Sequence, residues 1–200
     1  MTDLNNLRYA AWKTADDHGF HDTEPRLDAD EALMLVVSEA GEAADAFREA
    51  KLAKWYECPE CEDDSDERVT MPPNRYPTEA HVCPRCGFCG AGKPCGFASE
   101  VADTFIRLLD LSGTLNVDLN ALGIEIVPTG LQMPLRPRPL KELYAVVQAI
   151  TFDMDPVVAI ENGLRQTARC AAALGFELLP AVREKMAFNK TREHLHGKNC

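Results

Sequence analysis

A cysteine-rich segment divides this sequence into two parts that both carry helical patterns. Six of the eight cysteines lie from Cys58 to Cys95, where proline and glycine also replace the helical periodicity. Within it, Cys58-Pro-Glu-Cys61 is followed, 21 residues later, by Cys83-Pro-Arg-Cys86. Two such turns can supply four thiolates in tetrahedral geometry, and the spacing is close to that of zinc ribbons. The sequence therefore predicts a structural Zn²⁺ ion bound by these four cysteines.

The spacing leaves the ligand set open, because three other residues of the segment could replace a cysteine: His81, Cys89 and Cys95. Redox chemistry is the lesser alternative, since four closed thiolate ligands leave no open position on the metal. The N-terminal residues show no pattern of an export signal, and cysteines in such a chain favour metal ligation over disulfides. We therefore expect a reducing, cytoplasmic location, in a cell or in the host of a virus.

The parts on either side of this segment predict an all-α helical bundle. Apolar residues recur there at helical spacing, and Asp28 with Glu31 has the spacing of a capping box. The expected domains are a helical domain of residues 1–56 and 97–200 and an inserted zinc-ribbon-like module of residues 57–96. The predicted helices cover residues of about 3–18 and 28–55, a stretch from about 99, and residues of about 140–152, 156–174 and 177–193.

Charge and hydropathy exclude some functions. The net charge of −11 argues against a protein that binds nucleic-acid polymers nonspecifically, because phosphate contacts need clustered Lys and Arg. An acidic protein can still bind a polyphosphate when metal ions lie between the two sets of negative charges. The sequence has no apolar run long enough to predict a membrane span.

Two pairs of acidic residues in helical stretches indicate a metal site. Glu39 with Glu42, and Glu100 with Asp103, have i, i+3 spacing, which places each pair on nearly one helix face. Four carboxylates that converge from two packed helices suit a hard cation such as Mg²⁺. Alternatively, each pair belongs to a solvated helix face. Arg107 lies on the same side of its helix and could be a salt-bridge partner of Asp103.

The C-terminal stretch supplies cations in this otherwise acidic protein. Lys185, Asn189 and Arg192 have i, i+4, i+7 spacing, and Lys198 follows. A basic helix face with an amide is suited to bind phosphate groups beside a metal. The alternative is a solvated cationic helix end, which is favourable to the helix dipole.

Four short motifs occur together in this chain: Glu39-x-x-Glu42, Glu100-x-x-Asp103, Asn189-x-x-Arg192 and His196-Gly197-Lys198. This combination resembles the MazG-type all-α nucleoside triphosphate pyrophosphohydrolases. That superfamily also includes dimeric dUTPases, dCTP pyrophosphatases and phosphoribosyl-ATP pyrophosphohydrolases.

Two features depart from the family motif, which is usually written E-E-x-x-E, a spacer, then E-x-x-D. Ser38 stands where the first Glu often stands. The spacer between Glu42 and Glu100 has 57 residues, and subtracting the 38 residues of Cys58–Cys95 leaves 19, a plausible family loop. The resemblance covers residues of about 28–55, 98–118 and 176–198.

The resemblance implies a Mg²⁺-dependent enzyme that hydrolyses a nucleoside triphosphate to the monophosphate and pyrophosphate. It also implies that the two acid pairs hold the metal and that one carboxylate, such as that of Glu39, orients or deprotonates the attacking water. The subunits would form a homodimer or homotetramer. Trp12 would help to line a base pocket, although it is more typical of a core or interface residue. The candidate substrate-binding residues are Arg107, Lys185, Asn189, Arg192, Lys198 and Trp12.

Two other functions remain as alternatives. One is a helical adaptor without enzymatic activity, whose zinc ribbon binds a protein or a nucleic acid. The other is a hydrolase of the same fold that acts on another phosphoanhydride, such as phosphoribosyl-ATP. The acid pairs together with the Asn-x-x-Arg element favour the enzyme, but no residue distinguishes one base or sugar from another.

Overall fold

The computed structural model describes most of the chain, and every structural statement below refers to that part. The predicted Lys198 and the rest of its motif lie outside it. The described residues are 3–22, 28–49, 51–61, 70–71, 80–126, 138–152 and 155–193.

The described part contains six α-helices and five short strands. The helices are α1 (Leu4–Asp17), α2 (Ala29–Arg48), α3 (Phe97–Thr114), α4 (Pro139–Thr151), α5 (Pro156–Leu174) and α6 (Leu178–Asn189). The strands are β1 (Trp55–Glu57), β2 (Thr70–Met71), β3 (His81–Val82), β4 (Cys89–Gly90) and β5 (Lys93–Cys95), and a single 3₁₀ turn covers Pro59–Cys61.

Helix α3 lies at the centre of the bundle and packs against α1, α2, α5 and α6, while α4 packs against α2 and α5. Its apolar side chains explain this position, because Phe105, Leu108 and Leu109 are completely buried. Burial of such side chains is the main favourable contribution to folding. No described helix is long and apolar enough to cross a membrane. The prediction of a helix-rich fold is confirmed.

Two helix starts confirm the sequence-based signals. The Asp28 side chain accepts a hydrogen bond from the Glu31 N–H, and the Glu31 carboxylate accepts one from the Asp28 N–H. The Asp155 carboxylate accepts a hydrogen bond from the Val157 N–H at 2.8 Å, and α5 begins at Pro156, the first residue of the predicted range 156–174. Each cap satisfies backbone donors that have no partner within the helix.

The predicted end of α2 near Trp55 is wrong, because the helix ends at Arg48. The chain then turns so that the Lys51 carbonyl accepts a hydrogen bond from the Phe97 N–H at 3.1 Å. Trp55 instead lies in β1, where pairing with β5 replaces helical hydrogen bonds. Gly96, with φ of 103°, permits this arrangement, because a side chain there would collide with the Ala53 carbonyl oxygen.

The strands form two small sheets within residues 55–95. In the three-stranded sheet the order is β2-β1-β5, and both pairings are antiparallel. Strands β3 and β4 form a separate antiparallel pair. The first sheet begins at Trp55, two residues before the predicted module boundary. The fold is therefore a helical bundle with a short strand region around the cysteines, rather than α-helical throughout.

One other helix end differs from the sequence-based expectation. Helix α6 ends at Asn189 rather than near residue 193, and the Thr191 hydroxyl donates to the Phe188 carbonyl at 2.7 Å in the turn that follows. Arg192 therefore lies beyond the helix. Helix α3 continues to Thr114, and residues 115–126 form turns and irregular structure.

A glycine in α5 tests the packing of the bundle. An added Cβ at Gly163 would lie 2.6 Å from Ile150 Cγ2 of α4 and 3.0 Å from Leu108 Cδ1 of α3. We expect Gly163→Ala to lower the free energy of unfolding by about 1–3 kcal/mol through overpacking, measured by urea denaturation. Gly41→Ala is the matched control, because nothing lies within 4 Å of its Cβ position. It should stabilise α2 by about 0.5–1 kcal/mol. Equal effects of the two substitutions would contradict the packing.

Candidate functional site

A pocket of about 490 Å³ opens between the bundle and the three-stranded sheet. Its volume falls within the range of small-molecule binding sites, which is about 300–1,000 Å³. Its walls come from α1 and the turn after it, α2, α3, α6, β1, β5 and the segment between α2 and β1. The predicted site residues that line it are Glu39, Glu42, Glu100, Asp103, Arg107, Lys185, Asn189 and Arg192.

The two predicted acid pairs face this same pocket from α2 and α3. Glu39 exposes 14% of its side chain, and Glu100 and Asp103 expose 16% each. These carboxylates are therefore more enclosed than those of a solvated helix face. The pairing of α2 with α3 brings the i, i+3 pairs together, although 57 residues separate Glu42 from Glu100.

Lys185 lies beside the acidic wall, formed by Glu39, Glu42, Glu100 and Asp103, instead of on a solvated cationic face. Its side chain is 5% exposed, and its Nζ lies 2.8 Å from Asp103 Oδ2 and 3.9 Å from Glu100 Oε2. The ammonium also donates to the Pro94 carbonyl at 3.3 Å and to the Ser99 hydroxyl at 3.2 Å. Such a buried cation is tolerated because each of its donors meets an acceptor.

Arg107 pairs with Glu39 rather than with Asp103. The Arg107 Nε donates to Glu39 Oε1 at 3.0 Å. The guanidinium carbon lies 5.9 Å from the centroid of the Phe20 ring, within the range of a cation–π contact. This ion pair connects α2 to α3 within the pocket lining. Arg107 therefore holds the Glu39 carboxylate in place as well as lining the pocket.

Burial and mutual repulsion raise the pKa of two of the carboxyl groups. The pKa of Glu100 rises to about 7, and burial is the largest cause. Lys185 lowers this pKa, but repulsion from the neighbouring carboxylates adds to the effect of burial, so Lys185 offsets the rise only in part. Burial and the charge of Asp103 likewise raise the pKa of Glu39 above its usual range. Burial alone would lower the pKa of Lys185, but Asp103 and Glu100 outweigh it and raise that pKa. Full ionisation of these carboxyl groups is therefore disfavoured at neutral pH.

Asn189 and Arg192 also line the pocket, on the side of α6. The Asn189 side-chain oxygen is buried and has no hydrogen-bond donor in the described part of the chain. The Arg192 carbonyl accepts a hydrogen bond from the His18 imidazole at 2.9 Å if Nε2 carries the proton, which ties the end of α6 to the end of α1. A buried acceptor without a donor is typical of a position that a ligand or a water completes.

Trp12 is not among the residues that line this pocket, so its expected place in a base pocket stays a prediction. Helix α1 approaches α3 closely at this residue, since an added Cβ at Gly113 would lie 2.5 Å from Trp12 Cβ. The indole also stacks on the His21 ring, with 5.5 Å between centroids. Trp12 is therefore a packing residue between the two helices, which agrees with the alternative given for it above.

Several pocket residues were not predicted, namely Phe20, Lys51, Trp55, Glu57 and Lys93. Most come from the sheet or from the segment before it. Their signal was weak because Trp55 continued the apparent helical pattern of α2. The pairing of β1 with β5 brings Trp55, Glu57 and Lys93 to the pocket, and that long-range pairing cannot be predicted from local spacing.

Four cysteine sulfurs form a second candidate site outside the pocket. The Sγ atoms of Cys58, Cys61, Cys83 and Cys86 all lie within 4.8 Å of one another. The Cys58–Cys86 and Cys61–Cys83 pairs are 3.6 and 3.7 Å apart. Tetrahedral zinc–sulfur bonds would separate the sulfurs by about 3.8 Å. The cluster can therefore bind a metal such as zinc.

Backbone donors favour the thiolate form of one cluster residue, Cys83, whereas burial raises the pKa of Cys58 and the hydrogen bond with Cys86 raises that of Cys61. The Cys86 N–H and, to a smaller extent, the Arg85 N–H donate to Cys83 Sγ and lower the pKa of that thiol to about 6. Hydrogen bonds to sulfur stabilise the ionised form, which is the form that binds metals. The three alternative ligands, His81, Cys89 and Cys95, do not belong to the cluster.

The acid pairs differ from the cysteine cluster in compactness. Among the residues that the structure describes, the four cysteines are the one group of three or more potential metal ligands with their ligand atoms this close. In the acidic wall, Lys185 and Arg107 lie among the carboxylates and compensate part of their charge. The pocket thus presents a partly neutralised acidic surface rather than a closed cation cage.

Comparisons of the chain with protein-family models, with curated proteins and with solved structures found no match. The class of protein is therefore argued from the fold and the two sites alone. The resemblance to MazG-type enzymes remains a hypothesis that rests on the short motifs and on the placement of their residues in one pocket.

The raised pKa of Glu100 predicts a pH-dependent effect of Glu100→Gln. The folded-state pKa of about 7 exceeds the unfolded value, so the stability linked to this group is present below about pH 4.5 and is lost as the pH rises through 7. The neutral Gln avoids this loss. Without divalent cations, Glu100→Gln should match the native chain near pH 4.5 and exceed its free energy of unfolding by about 1–3 kcal/mol at pH 8. A difference that does not grow with pH in denaturant titrations would contradict the assigned burial.

Proposed function

We propose that this protein is a Mg²⁺-dependent nucleoside triphosphate pyrophosphohydrolase. The observation that carries the proposal is the convergence of both acid pairs, from α2 and α3, on one wall of a pocket of about 490 Å³. Carboxylate oxygens are the ligands that Mg²⁺ prefers, and protein-bound Mg²⁺ commonly serves phosphate chemistry. The volume also suits a nucleotide-sized ligand.

The charge balance of the wall supports a divalent cation. Four carboxylates face two cations, the buried Lys185 and the half-buried Arg107, which leaves two of the four acid charges uncompensated when all four acids are ionised. A dication would relieve that repulsion, and it would favour the ionised form of Glu100. The residues that would hold it are Glu39, Glu42, Glu100 and Asp103.

When bound, Mg²⁺ would neutralise phosphate charge and lower the pKa of a coordinated water. The chain's own residues position the reactants. Arg107 fixes the carboxylate of Glu39, which suits Glu39 to orient the attacking water. Lys185 fixes Asp103 in the same way. The buried oxygen of Asn189 and the cation of Arg192 also line the pocket and suit contact with sugar hydroxyls and phosphates.

We also propose that the metal of the cysteine cluster is zinc and that it has a structural role, which is to stabilise an inserted zinc ribbon. Four sulfurs near tetrahedral spacing, with backbone donors that stabilise a thiolate, support this assignment. Gel-filtered protein should contain about one zinc per chain, and Cys58→Ser/Cys83→Ser should contain almost none. Zinc retained by the double variant in elemental analysis would contradict the assignment.

A homodimer or homotetramer and a cytoplasmic location remain predictions. Two large apolar side chains on neighbouring helices, Met34 of α2 and Tyr144 of α4, are each 62% exposed. A second copy of the chain that covered them would bury apolar area, which supports self-association.

The reaction is tested by a panel of common NTPs and dNTPs with Mg²⁺, with pyrophosphate and orthophosphate measured separately. Pyrophosphate should be the first product. Glu39→Gln and Asp103→Asn should each lower turnover by about 100-fold or more, equivalent to about 2.7 kcal/mol of transition-state stabilisation. Both variants should stay folded by circular dichroism.

Asp30→Asn is the matched control for these variants. It makes the same carboxylate-to-amide change at an exposed position of α2, outside the pocket, and should keep full turnover. Full activity of Glu39→Gln and Asp103→Asn would refute the site. Orthophosphate as the first product would mean attack at the terminal phosphorus and would refute the proposed reaction.

A further inference from the structure

The three-stranded sheet has one face toward the pocket and the other toward the cysteine cluster. Successive side chains of a strand point to opposite faces. On β1, Trp55 and Glu57 line the pocket, whereas Tyr56 between them packs with the buried cysteines Cys58 and Cys83. The strand thus has the pocket on one side and the cysteine cluster on the other.

The neighbouring strand extends the pocket face. Trp55 is paired with Cys95 and Glu57 with Lys93, and all four line the pocket. The Trp55 indole donates to the Glu57 carboxylate at 2.9 Å, and the Lys51 ammonium lies 5.8 Å from the centre of the Trp55 ring. This face therefore offers an aromatic surface with cations beside it, which suits an aromatic ligand that carries negative charge.

The sheet is too small to be stable by its own hydrogen bonds. Its strands have three, two and three residues. Its separate apolar core consists of four buried residues, Tyr56, Cys58, Met71 and Cys83, two of which are candidate metal ligands. Small modules of this kind depend on a bound metal for folding, because the binding free energy is also folding free energy.

The sheet is also connected to the bundle through α6. The Tyr56 hydroxyl donates to Glu184 Oε1 at 2.6 Å, and the Lys54 ammonium lies 2.5 Å from Glu184 Oε2. One residue further along α6, Lys185 donates to the carbonyl of Pro94, the β5 partner of Tyr56. Displacement of β1 and β5 would therefore disturb the acidic wall as well as the aromatic face.

We propose that the metal in the cysteine cluster holds the β1–β5 face of the pocket in place, so that a polyphosphate ligand binds tightly only when that metal is present. The identity of the ligand rests on the proposed function; the dependence of the face on the metal does not. The cysteines act as positioning residues, since none of the four metal-binding cysteines lines the pocket.

Two exposed cysteines of the module provide a matched pair of variants. Cys86 belongs to the cluster, whereas Cys89 does not, and both are exposed. Each is changed to serine in a Trp12→Phe background. The chain has two tryptophans, so Trp55 is then the one that remains. The readouts are zinc content, far-ultraviolet circular dichroism, acrylamide quenching of Trp55, and binding of inorganic pyrophosphate with Mg²⁺ by calorimetry.

Cys86→Ser should lose zinc and keep the helical signal. Its Trp55 quenching constant should rise about twofold or more as the face loosens. Its affinity for pyrophosphate should fall about tenfold or more, while Cys89→Ser should match the parent. Loss of zinc with quenching and affinity equal to those of Cys89→Ser would overturn the inference.

A metal titration covers the case in which Cys86→Ser retains zinc or loses its helices. Zinc added to the zinc-free parent should lower the Trp55 quenching constant and saturate at about one ion per chain. Constant quenching across that titration would overturn the inference. A zinc-loaded parent that does not bind pyrophosphate would instead count against the proposed function, and the Trp55 measurements would still decide the role of the metal.

Discussion

The ammonium group of Lys185 connects three parts of the molecule that are distant in sequence. It extends from α6 to Asp103 on α3, to the hydroxyl of Ser99 near the start of that helix, and to the carbonyl of Pro94 in β5. Removing Lys185 would leave the enclosed carboxylates of Asp103 and Glu100 without their counter-charge, which is destabilising. The positions of the acidic wall and of the strand face therefore depend on the same cation.

The acidic wall also depends on small residues beside it. Ala40 and Ala43 of α2 and Ala102 of α3 are almost completely buried, next in sequence to Glu39, Glu42 and Asp103 respectively. Small side chains allow two helices to approach closely, so the carboxylates beside them are brought together at the edge of that contact. Their charge repulsion is then offset by cations from elsewhere in the fold.

Local periodicity was sufficient for part of this structure. It predicted the main helices, the capping of α2, the shared pocket of the acid pairs and the four-cysteine cluster, because each depends on spacing along one element or on a compact motif. The burial of Lys185 and the strand position of Trp55 were not predictable. Both depend on how β5 lies beside β1 and α6, which is a contact between distant segments.

The hydrogen bond between the Lys51 carbonyl and the Phe97 N–H brings the two ends of the insertion together. The polypeptide leaves the bundle and re-enters it at one point, so a short connection between these residues could join α2 to α3 without stretching the backbone. A shortened chain of this kind would retain the main apolar core but lack the enclosure that β1 and β5 give the pocket. The insertion is thus separable from the scaffold by topology, yet inseparable from the cleft that it helps to form.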